Sequence, residues 1–219
     1  MSYKYKEIWD VNLPKNYEGC KYYDGWLEEE PIKDIIRNTS KPIIDLGCGT
    51  GNNCVHLTEI GKEVIACDYS NEGLKLINKA NPNIKTINFD MTEPFPFMDS
   101  MTDLVIADIC LHNFDKKITI KILEEIRRIL TDQGYLLFRV NSTHDFNHGA
   151  GQGIKLEDNF YLVNDMTKRF FDEKDIREFL VNFKIILLSE EPRDLKLYDE
   201  KNKTWYLSPK TVWKCLAKK

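Results

Sequence analysis

The chain has 219 residues, with 42% hydrophobic and 30% charged side chains, a length and composition that fit one globular α/β domain with additions. No apolar run approaches the roughly 20 residues that span a bilayer, and the N-terminal residues lack the apolar core of a secretory signal, so we expect a cytoplasmic protein without a membrane segment. The formal net charge is -4 and the Lys and Arg residues are dispersed, which disfavours a nucleic-acid partner because such binding needs a concentrated basic surface.

From Pro42 onward, short apolar runs alternate with helical segments. We predict strands at 42–46, 63–68, 84–89, 103–108 and 135–140, and helices at 52–60, 71–80 and 117–130, with Gly134 ending the last helix. A later helix at 172–181 and strands at 183–191 and 210–217 complete the series. Such alternation is typical of parallel βαβ units, and nearly all-apolar strands are typical of a sheet covered on both faces. The sequence therefore predicts an α/β fold, a doubly wound parallel sheet with helices on both faces.

The stretch "IIDLGCGTGNN", residues 43–53, follows the first strand directly. Gly47, Gly49 and Gly51 suggest a ligand that approaches the backbone closely, because ligands of open parallel sheets bind at the carboxyl ends of the strands. The spacing is not the G-x-G-x-x-G of dinucleotide-binding proteins. Asp45 precedes the glycines and Asp68 ends the next strand, where a carboxylate can accept hydrogen bonds from ribose hydroxyls. These residues predict a sugar-bearing ligand.

Four segments in order resemble the motifs of one family, the class I S-adenosylmethionine-dependent methyltransferases: "IIDLGCGTGNN", "VIACDYS", "INFDMTEPFPF" and "DLVIADICLHNF". The strand "LTDQGYLLFRV" is also similar, so the resemblance covers residues 40–140 closely. It implies a Rossmann-like sheet of seven strands, mostly parallel with the last strand antiparallel. It also implies S-adenosylmethionine as cofactor and S-adenosylhomocysteine as product. The sequence looks most like the small-molecule methyltransferases of the tellurite-resistance and thiopurine types.

The resemblance also implies roles for individual residues. The glycines would lie beneath the methionine part of the cofactor, Asp68 would bind the ribose, and Tyr69 would lie against the adenine. Asp90 would meet the adenine amino edge, although a turn or helix cap explains this residue equally well. The cofactor contacts implied in this way are Asp45, Gly47, Cys48, Gly49, Gly51, Asn52, Asp68, Tyr69, Asp90, Met91 and Ala107.

The fourth motif bears on the acceptor. "ADICLHN" lacks the paired prolines and aromatic residue of enzymes that methylate adenine amino groups, and Cys110 does not follow a proline as a cytosine-C5 nucleophile would. Cys110 is better explained as a small buried residue. We therefore expect a small-molecule acceptor, while a protein or RNA methyltransferase and a noncatalytic S-adenosylmethionine-binding protein stay as alternatives. Preferential binding of NAD would indicate an oxidoreductase instead.

The acceptor pocket is expected to involve two segments outside the βα alternation. We expect one domain over 1–219, in which residues 1–40 form a helical, aromatic lid and residues 41–219 form the core, with a substrate loop at 141–165. Each aromatic residue of the lid, taken singly, is as well explained by packing over the sheet; they are Tyr3, Tyr5, Trp9, Tyr17, Tyr22, Tyr23 and Trp26. The candidate catalytic or acceptor contacts are Asp108, His112, Asn141, His144 and His148.

Metal binding and assembly complete the expectations. His144 and His148 are four residues apart, but glycines follow them and the H-E-x-x-H pattern is absent, so we expect hydrogen-bonding or acid-base groups and no metal. Six cysteines without a Cys-x-x-Cys pair give no sign of a disulfide framework or zinc site. We expect a monomer or a homodimer, and the sequence does not distinguish between them.

Overall fold

The computed structural model describes residues 6–15, 23–199 and 201–219, and it confirms the predicted fold class. Seven strands form one sheet in the order β3-β2-β1-β4-β5-β10-β9, in which β1 to β5 are parallel and β10 is antiparallel to both of its neighbours. The strands of this sheet are β1 (Ile43–Leu46), β2 (Val64–Asp68), β3 (Lys85–Asn88), β4 (Thr102–Asp108), β5 (Leu130–Asn141), β9 (Lys184–Asp199) and β10 (Thr204–Lys218).

The described residues contain six α-helices: α1 (Lys6–Lys15), α2 (Ile32–Asn38), α3 (Asn52–Glu59), α4 (Asn71–Ala80), α5 (Lys116–Ile129) and α6 (Glu173–Phe179). Buried side chains form one core on each face of the sheet, since α5 and α6 contribute to one cluster and α2, α3 and α4 to the other. This explains why the central strands are apolar along their whole length, as in β1, where all four residues are buried. None of the helices in the described ranges is both long and apolar enough to cross a bilayer.

The prediction that Gly134 ends the fifth helix is wrong. Helix α5 stops at Ile129, and Leu130 already has extended backbone and begins β5. Gly134 lies inside that strand, where a Cβ atom would come within 3.0 Å of the Leu130 side chain. The register between β4 and β5 shifts at this end. The glycine therefore marks an irregularity within a strand, which is a second common position for glycine beside the helix C-terminus.

The expected substrate loop at 141–165 is only partly a loop. After a short 3-10 turn at Phe146–His148, the chain forms three antiparallel strands in a separate small sheet: β6 (Ile154–Glu157), β7 (Phe160–Val163) and β8 (Met166–Arg169). Two-residue turns join them, with Asn159, Asn164 and Asp165 at positive φ. Asn and Asp are the residues that such hairpin turns favour, so the signal was present in the sequence.

Strands β9 and β10 are longer than predicted and extend past the sheet. Only residues 212–218 of β10 pair with β5, whereas 204–218 pair with β9. Residues 192–199 and 204–211 therefore form a two-stranded ribbon, which we call the distal ribbon. It continues from the edge of the sheet at which the parallel strand β5 ends, so its base borders the ligand-binding edge.

The described part of the N-terminal segment contains α1 and α2, and its aromatic residues Tyr23 and Trp26 lie in different surroundings. Trp26 is 2% exposed and packs with Leu27 into the core on the face of α2 and α3. Tyr23 stacks on His56 with ring centroids 4.1 Å apart. The alternative of packing over the sheet therefore holds for Trp26. The lid residues Tyr3, Tyr5, Tyr17 and Tyr22 lie outside the described residues.

Candidate active site

The turn between β1 and α3 has the backbone conformation that its glycines allow. Gly47, Gly49 and Gly51 have φ values of 62°, 58° and 87°, in the left-handed region that other residues rarely adopt. Part of the need for glycine is internal, because a Cβ atom at Gly47 would lie 2.4 Å from the Cβ atom of Cys110 and one at Gly51 would lie 2.7 Å from Ile77. At two of the three glycines, the absence of a Cβ atom thus leaves room for a side chain of the protein itself.

Cys110 is buried, as predicted, and its position behind Gly47 explains why a small residue is needed there. Burial raises the pKa of its thiol well above the usual value. The thiolate, which is the nucleophilic form, is therefore disfavoured. This geometry agrees with the expectation that Cys110 does not attack a substrate.

Two carboxylates flank the glycine turn without a basic partner among the described residues. Asp45 is 1% exposed. Cys54 donates to its Oδ2 at 3.0 Å, whereas its Oδ1 has no hydrogen-bond partner within the described ranges. Burial, with repulsion from Asp108 and Asp68, raises the pKa of Asp45 to about 7. Burial also raises the pKa of Asp68, against the backbone hydrogen bonds that lower it. This region is therefore suited to a ligand that brings positive charge and hydrogen-bond donors.

Asp68 lies at the end of β2, as predicted, and faces the glycine turn. The amide of Gly49 donates to Oδ2 at 2.8 Å and the amide of Ser70 donates to Oδ1 at 2.7 Å. An ionised carboxylate has about four acceptor positions, so two remain for a ligand. Asp68 thus orders the turn and keeps the capacity to accept two more hydrogen bonds.

Helix α1 lies against the same turn and against the start of α4. Asp10 accepts hydrogen bonds from Ser70 Oγ at 2.5 Å and from the Glu72 amide at 3.3 Å. Leu13 approaches Gly49 and Gly73 so closely that a Cβ atom at these glycines would lie 3.5 and 3.0 Å from its methyl groups. Helix α1 therefore covers the glycine turn.

The remaining implied cofactor residues surround this turn. Tyr69 follows Asp68 directly, and the Lys6 ammonium lies 5.9 Å from the centroid of its ring. Met91 reaches the space beside Gly47. The Asp90 carboxylate accepts hydrogen bonds from both the amide and the hydroxyl of Thr92, so it stabilises the turn that follows it. Cys48 and Asn52 lie in the turn and at the start of α3, and Ala107 is buried near the end of β4.

Asp108, at the end of β4, is held in an ion-pair network that the sequence analysis did not find. Arg139 donates to both carboxylate oxygens at 2.8 and 2.7 Å and also reaches Asp24 at 2.7 Å. The guanidinium stacks over Trp26 at 4.0 Å from the ring centroid. The nearby Arg193 and Arg139 hold the pKa of Asp108 far below its usual value, against the effect of burial. The charged form of Asp108 is therefore favoured, and the group is poorly suited to accept a proton.

A second polar group lies farther along the same edge, beyond β5. His112, in the 3-10 turn after β4, is 6% exposed, and its Nδ1 has no hydrogen-bond partner in the part of the chain that the structure describes. Burial and the ammonium groups of Lys210 and Lys168 lower the pKa of this imidazole well below the usual value. Asn141, the last residue of β5, is 2% exposed, and no described residue forms a hydrogen bond with its Oδ1. His112 and Asn141 thus offer neutral polar atoms at the place where an acceptor was expected.

The two loop histidines lie in different surroundings. His148 contacts Asp145 through Nδ1 at 2.8 Å and Ser208 of the distal ribbon through Nε2 at 3.2 Å. The side chain of His144 is 65% exposed and pairs with Glu190 at 2.7 Å. The structure therefore brings His148 to the buried polar group and leaves His144 on the surface. Within the described residues, no group of three or more His, Cys, Asp or Glu side chains is arranged to hold a metal ion.

Residues 44–138 match a family model described as a methyltransferase domain, and this range runs from β1 through the glycine turn to β5. An S-adenosylmethionine-dependent methyltransferase from Methanosarcina mazei has the same fold, with a TM-score of 0.69 and 20% identity over 87% of this chain and 98% of the other. Over residues 44–138, which are less than half of the chain, the sequence thus resembles the class I S-adenosylmethionine-dependent methyltransferases. The cofactor of this family is S-adenosylmethionine.

Two curated relatives differ in what their names state. A putative methyltransferase from Geobacillus sp. (strain WCH70) is 30% identical over 58% of this chain and 53% of its own length. The tRNA N(3)-methylcytidine methyltransferase Mettl2 of Drosophila melanogaster is 27% identical over 63% of this chain and 46% of its own length. The chain thus spans about half the length of these two relatives.

Proposed function

We propose that this chain transfers the methyl group of S-adenosylmethionine to a small-molecule acceptor by in-line displacement at the carboxyl edge of the sheet. When bound, the cofactor supplies an activated methyl group on a positively charged sulfur. The work left to the protein is to hold the acceptor in line and to exclude water. A general base is needed only for an acceptor that binds with its proton.

The cofactor half of the proposal is supported by the unpartnered charges beside the glycine turn. Among the residues that the structure describes, none forms a hydrogen bond with the buried Oδ1 of Asp45, and two acceptor positions of Asp68 stay free. S-Adenosylmethionine carries an ammonium group, a sulfonium and two ribose hydroxyls, which are the complementary groups. In this assignment Asp45 orders the turn and faces the amino-acid end of the cofactor, while Asp68 binds the ribose.

The acceptor half rests on one observation: the polar side chains at the carboxyl edge are buried. His112, Asn141 and Lys210 are 6%, 2% and 8% exposed. The 3-10 turn of His112 packs against β5 and against β8 of the small sheet. A base within a folded RNA or a side chain on a protein surface has poor access to such groups. A small molecule that is enclosed by the small sheet and the distal ribbon has better access.

An RNA acceptor is the second candidate, and the Drosophila relative, whose name states a tRNA substrate, favours it. The net charge of -4 opposes it, because RNA binding relies on neutralising phosphates with Lys and Arg. A noncatalytic binder would have the same cofactor site and no turnover. The three possibilities therefore differ in what receives the methyl group: a small molecule, an RNA, or nothing.

The test uses S-adenosylmethionine labelled in the methyl group. Calorimetry with S-adenosylmethionine and S-adenosylhomocysteine first establishes binding. The protein is then incubated with separated metabolite, RNA and protein fractions, and the transferred label is counted. We expect label in the metabolite fraction. Label confined to RNA or protein would overturn the small-molecule assignment, and binding without transfer to any fraction would favour a noncatalytic role.

A further inference from the structure

The acceptor side of the edge contains two lysines joined by a chain of contacts. The Lys168 ammonium, on β8, donates to the carbonyl of His148 at 3.4 Å. His148 contacts Asp145 at 2.8 Å, and Asp145 lies 3.8 Å from the ammonium of Lys210 on β10. We call Lys168, Lys210, His112, Asn141, Asp145 and His148 the acceptor-side cluster. It joins elements that lie more than 60 residues apart in the sequence.

Positive charge is in excess in this cluster. Among the described residues, Asp145 is the one carboxylate within 4 Å of the Lys168 or Lys210 ammonium, and it also contacts His148. At 3.8 Å it is too far from Lys210 for a hydrogen bond, so the buried Lys210 ammonium has no hydrogen bond to any described residue. Arg193 lies opposite Lys210 in the ribbon and adds repulsion, but its own guanidinium pairs with Asp24 and Asp108. One carboxylate therefore faces two ammonium groups, so the lysine charge is compensated only in part.

Buried neutral groups complete the site. The Nδ1 atom of His112 and the Oδ1 atom of Asn141 are both buried without a partner among the described residues. A native structure seldom leaves such atoms unpaired unless a ligand or water satisfies them. The 3-10 turn of His112 follows β4 at the carboxyl edge of the sheet and packs against β8, the strand of Lys168. The cluster therefore lies at the edge where the methyl group is expected.

We propose that the acceptor carries a small anionic group, a carboxylate or a phosphate, which Lys168 and Lys210 bind between the small sheet and the base of the distal ribbon. This inference rests on the proposed function and specifies its substrate class. An oxyanion would supply the hydrogen bonds that Lys210 lacks and offset the buried positive charge. His112 and Asn141 then contact the neighbouring part of the acceptor and orient it.

The experiment is a calorimetric titration of the full chain with benzoate, inorganic phosphate and benzamide, with and without saturating S-adenosylhomocysteine. Benzamide has the shape of benzoate without its charge. We expect benzoate or phosphate to bind at least about tenfold more tightly than benzamide, since hydrogen bonds to a charged group contribute about this much. Lys210→Met and Lys168→Met should each weaken binding of that anion about tenfold or more. Whichever anion binds identifies the group.

A matched control is present on the same strand. Lys214 is 4% exposed and lies four residues after Lys210, but Glu29 and Glu191 satisfy it at 2.5 and 2.8 Å. Lys214→Met removes an equally buried charge and should leave anion affinity unchanged. Lys168→Met breaks no ion pair in the structure, so it tests the inference even where Lys210→Met fails to fold.

The outcomes separate this inference from the proposed function. If benzamide binds as tightly as the anions, if no anion binds, or if Lys168→Met binds them as the unmodified protein does, the anionic acceptor is refuted. S-Adenosylhomocysteine binding is read from its own titration and decides the cofactor assignment alone. Loss of anion binding in Lys210→Met and Lys168→Met, with cofactor affinity intact, supports the inference.

Discussion

The ribose contact of Asp68 gives the sharpest test of the cofactor site. The carboxylate holds two backbone amides, those of Gly49 and Ser70, and two acceptor positions remain for the two ribose hydroxyls. Asp68→Ala removes both potential ligand bonds. A hydrogen bond to a charged group contributes about 1.5–3 kcal/mol. Burial of the Asp68 carboxylate is unfavourable and raises its pKa. Removing this buried charge therefore offsets part of the affinity lost with the second hydrogen bond.

We therefore expect a net loss of about 1.5–3 kcal/mol of cofactor affinity, which corresponds to a dissociation constant about 10- to 150-fold higher. Calorimetry with S-adenosylhomocysteine measures it. The same substitution leaves two amides without partners and should lower the free energy of unfolding by about 1–3 kcal/mol. Urea unfolding must therefore show that the variant is folded under the titration conditions.

Two further carboxylates serve as comparisons for Asp68. The side chain of Asp99 is 78% exposed and pairs with Arg128, so Asp99→Ala should leave cofactor affinity unchanged. Asp90→Ala separates its two explanations, because a turn residue bonded to Thr92 affects affinity little, whereas an adenine contact affects it strongly. A folded Asp68→Ala protein whose dissociation constant is within twofold of the original would refute the ribose assignment.

Three other predictions concern packing, charge and pH. Gly47→Ala should lower the free energy of unfolding, measured in urea, by about 2–4 kcal/mol, because φ is +62° and the new Cβ would lie 2.4 Å from the Cβ of Cys110. The control Gly61→Ala also has a positive φ, +83°, but nothing lies within 4 Å of its Cβ, so it should lose only about 1–2 kcal/mol. Equal losses in the two variants would contradict the packing argument. Arg139→Met should lose about 3–5 kcal/mol in the same assay, because it breaks the closer ion pairs of Asp24 and Asp108 and leaves them only the longer ones to Arg193; a loss below about 1 kcal/mol would refute the network. Burial lowers the pKa of Lys210 to about 8 and also lowers that of Lys168, so anion affinity should fall as pH rises through about 8, and a flat profile in calorimetry would contradict the lysine contacts.

The parallel half of the fold could be predicted because its signals are local. Each buried strand is a short apolar run, and the turn at Gly47 to Gly51 needs a backbone that few other residues adopt. The position of Asp68 could be predicted for the same reason, because it ends the short apolar run of β2. The small sheet of β6 to β8 also has local turn signals in Asn159 and Asn164. The glycines of the preceding loop concealed them, since they suggested an irregular segment throughout.

The acceptor side could not be predicted in this way, because its contacts are distant in sequence. Arg139 meets Asp24 across 115 positions, and Asp145 approaches Lys210 from a different element. One local signal did exist, since Arg139 is a charged residue inside the apolar run "YLLFRV" and a buried charge needs a partner. That signal indicates a network without identifying its members.

The distribution of charge along the edge connects the two halves of the site. On the β1 and β2 side, Asp45 and Asp68 have no basic partner among the described residues, whereas beyond β5 Lys168 and Lys210 exceed the single carboxylate near them. Between the two sides, the acid Asp108 is neutralised by arginine. An unpaired buried charge destabilises the fold, so each half is more stable with a ligand of opposite charge bound. A cationic donor and an anionic acceptor satisfy both halves at once, and each should therefore raise the melting temperature of the protein separately.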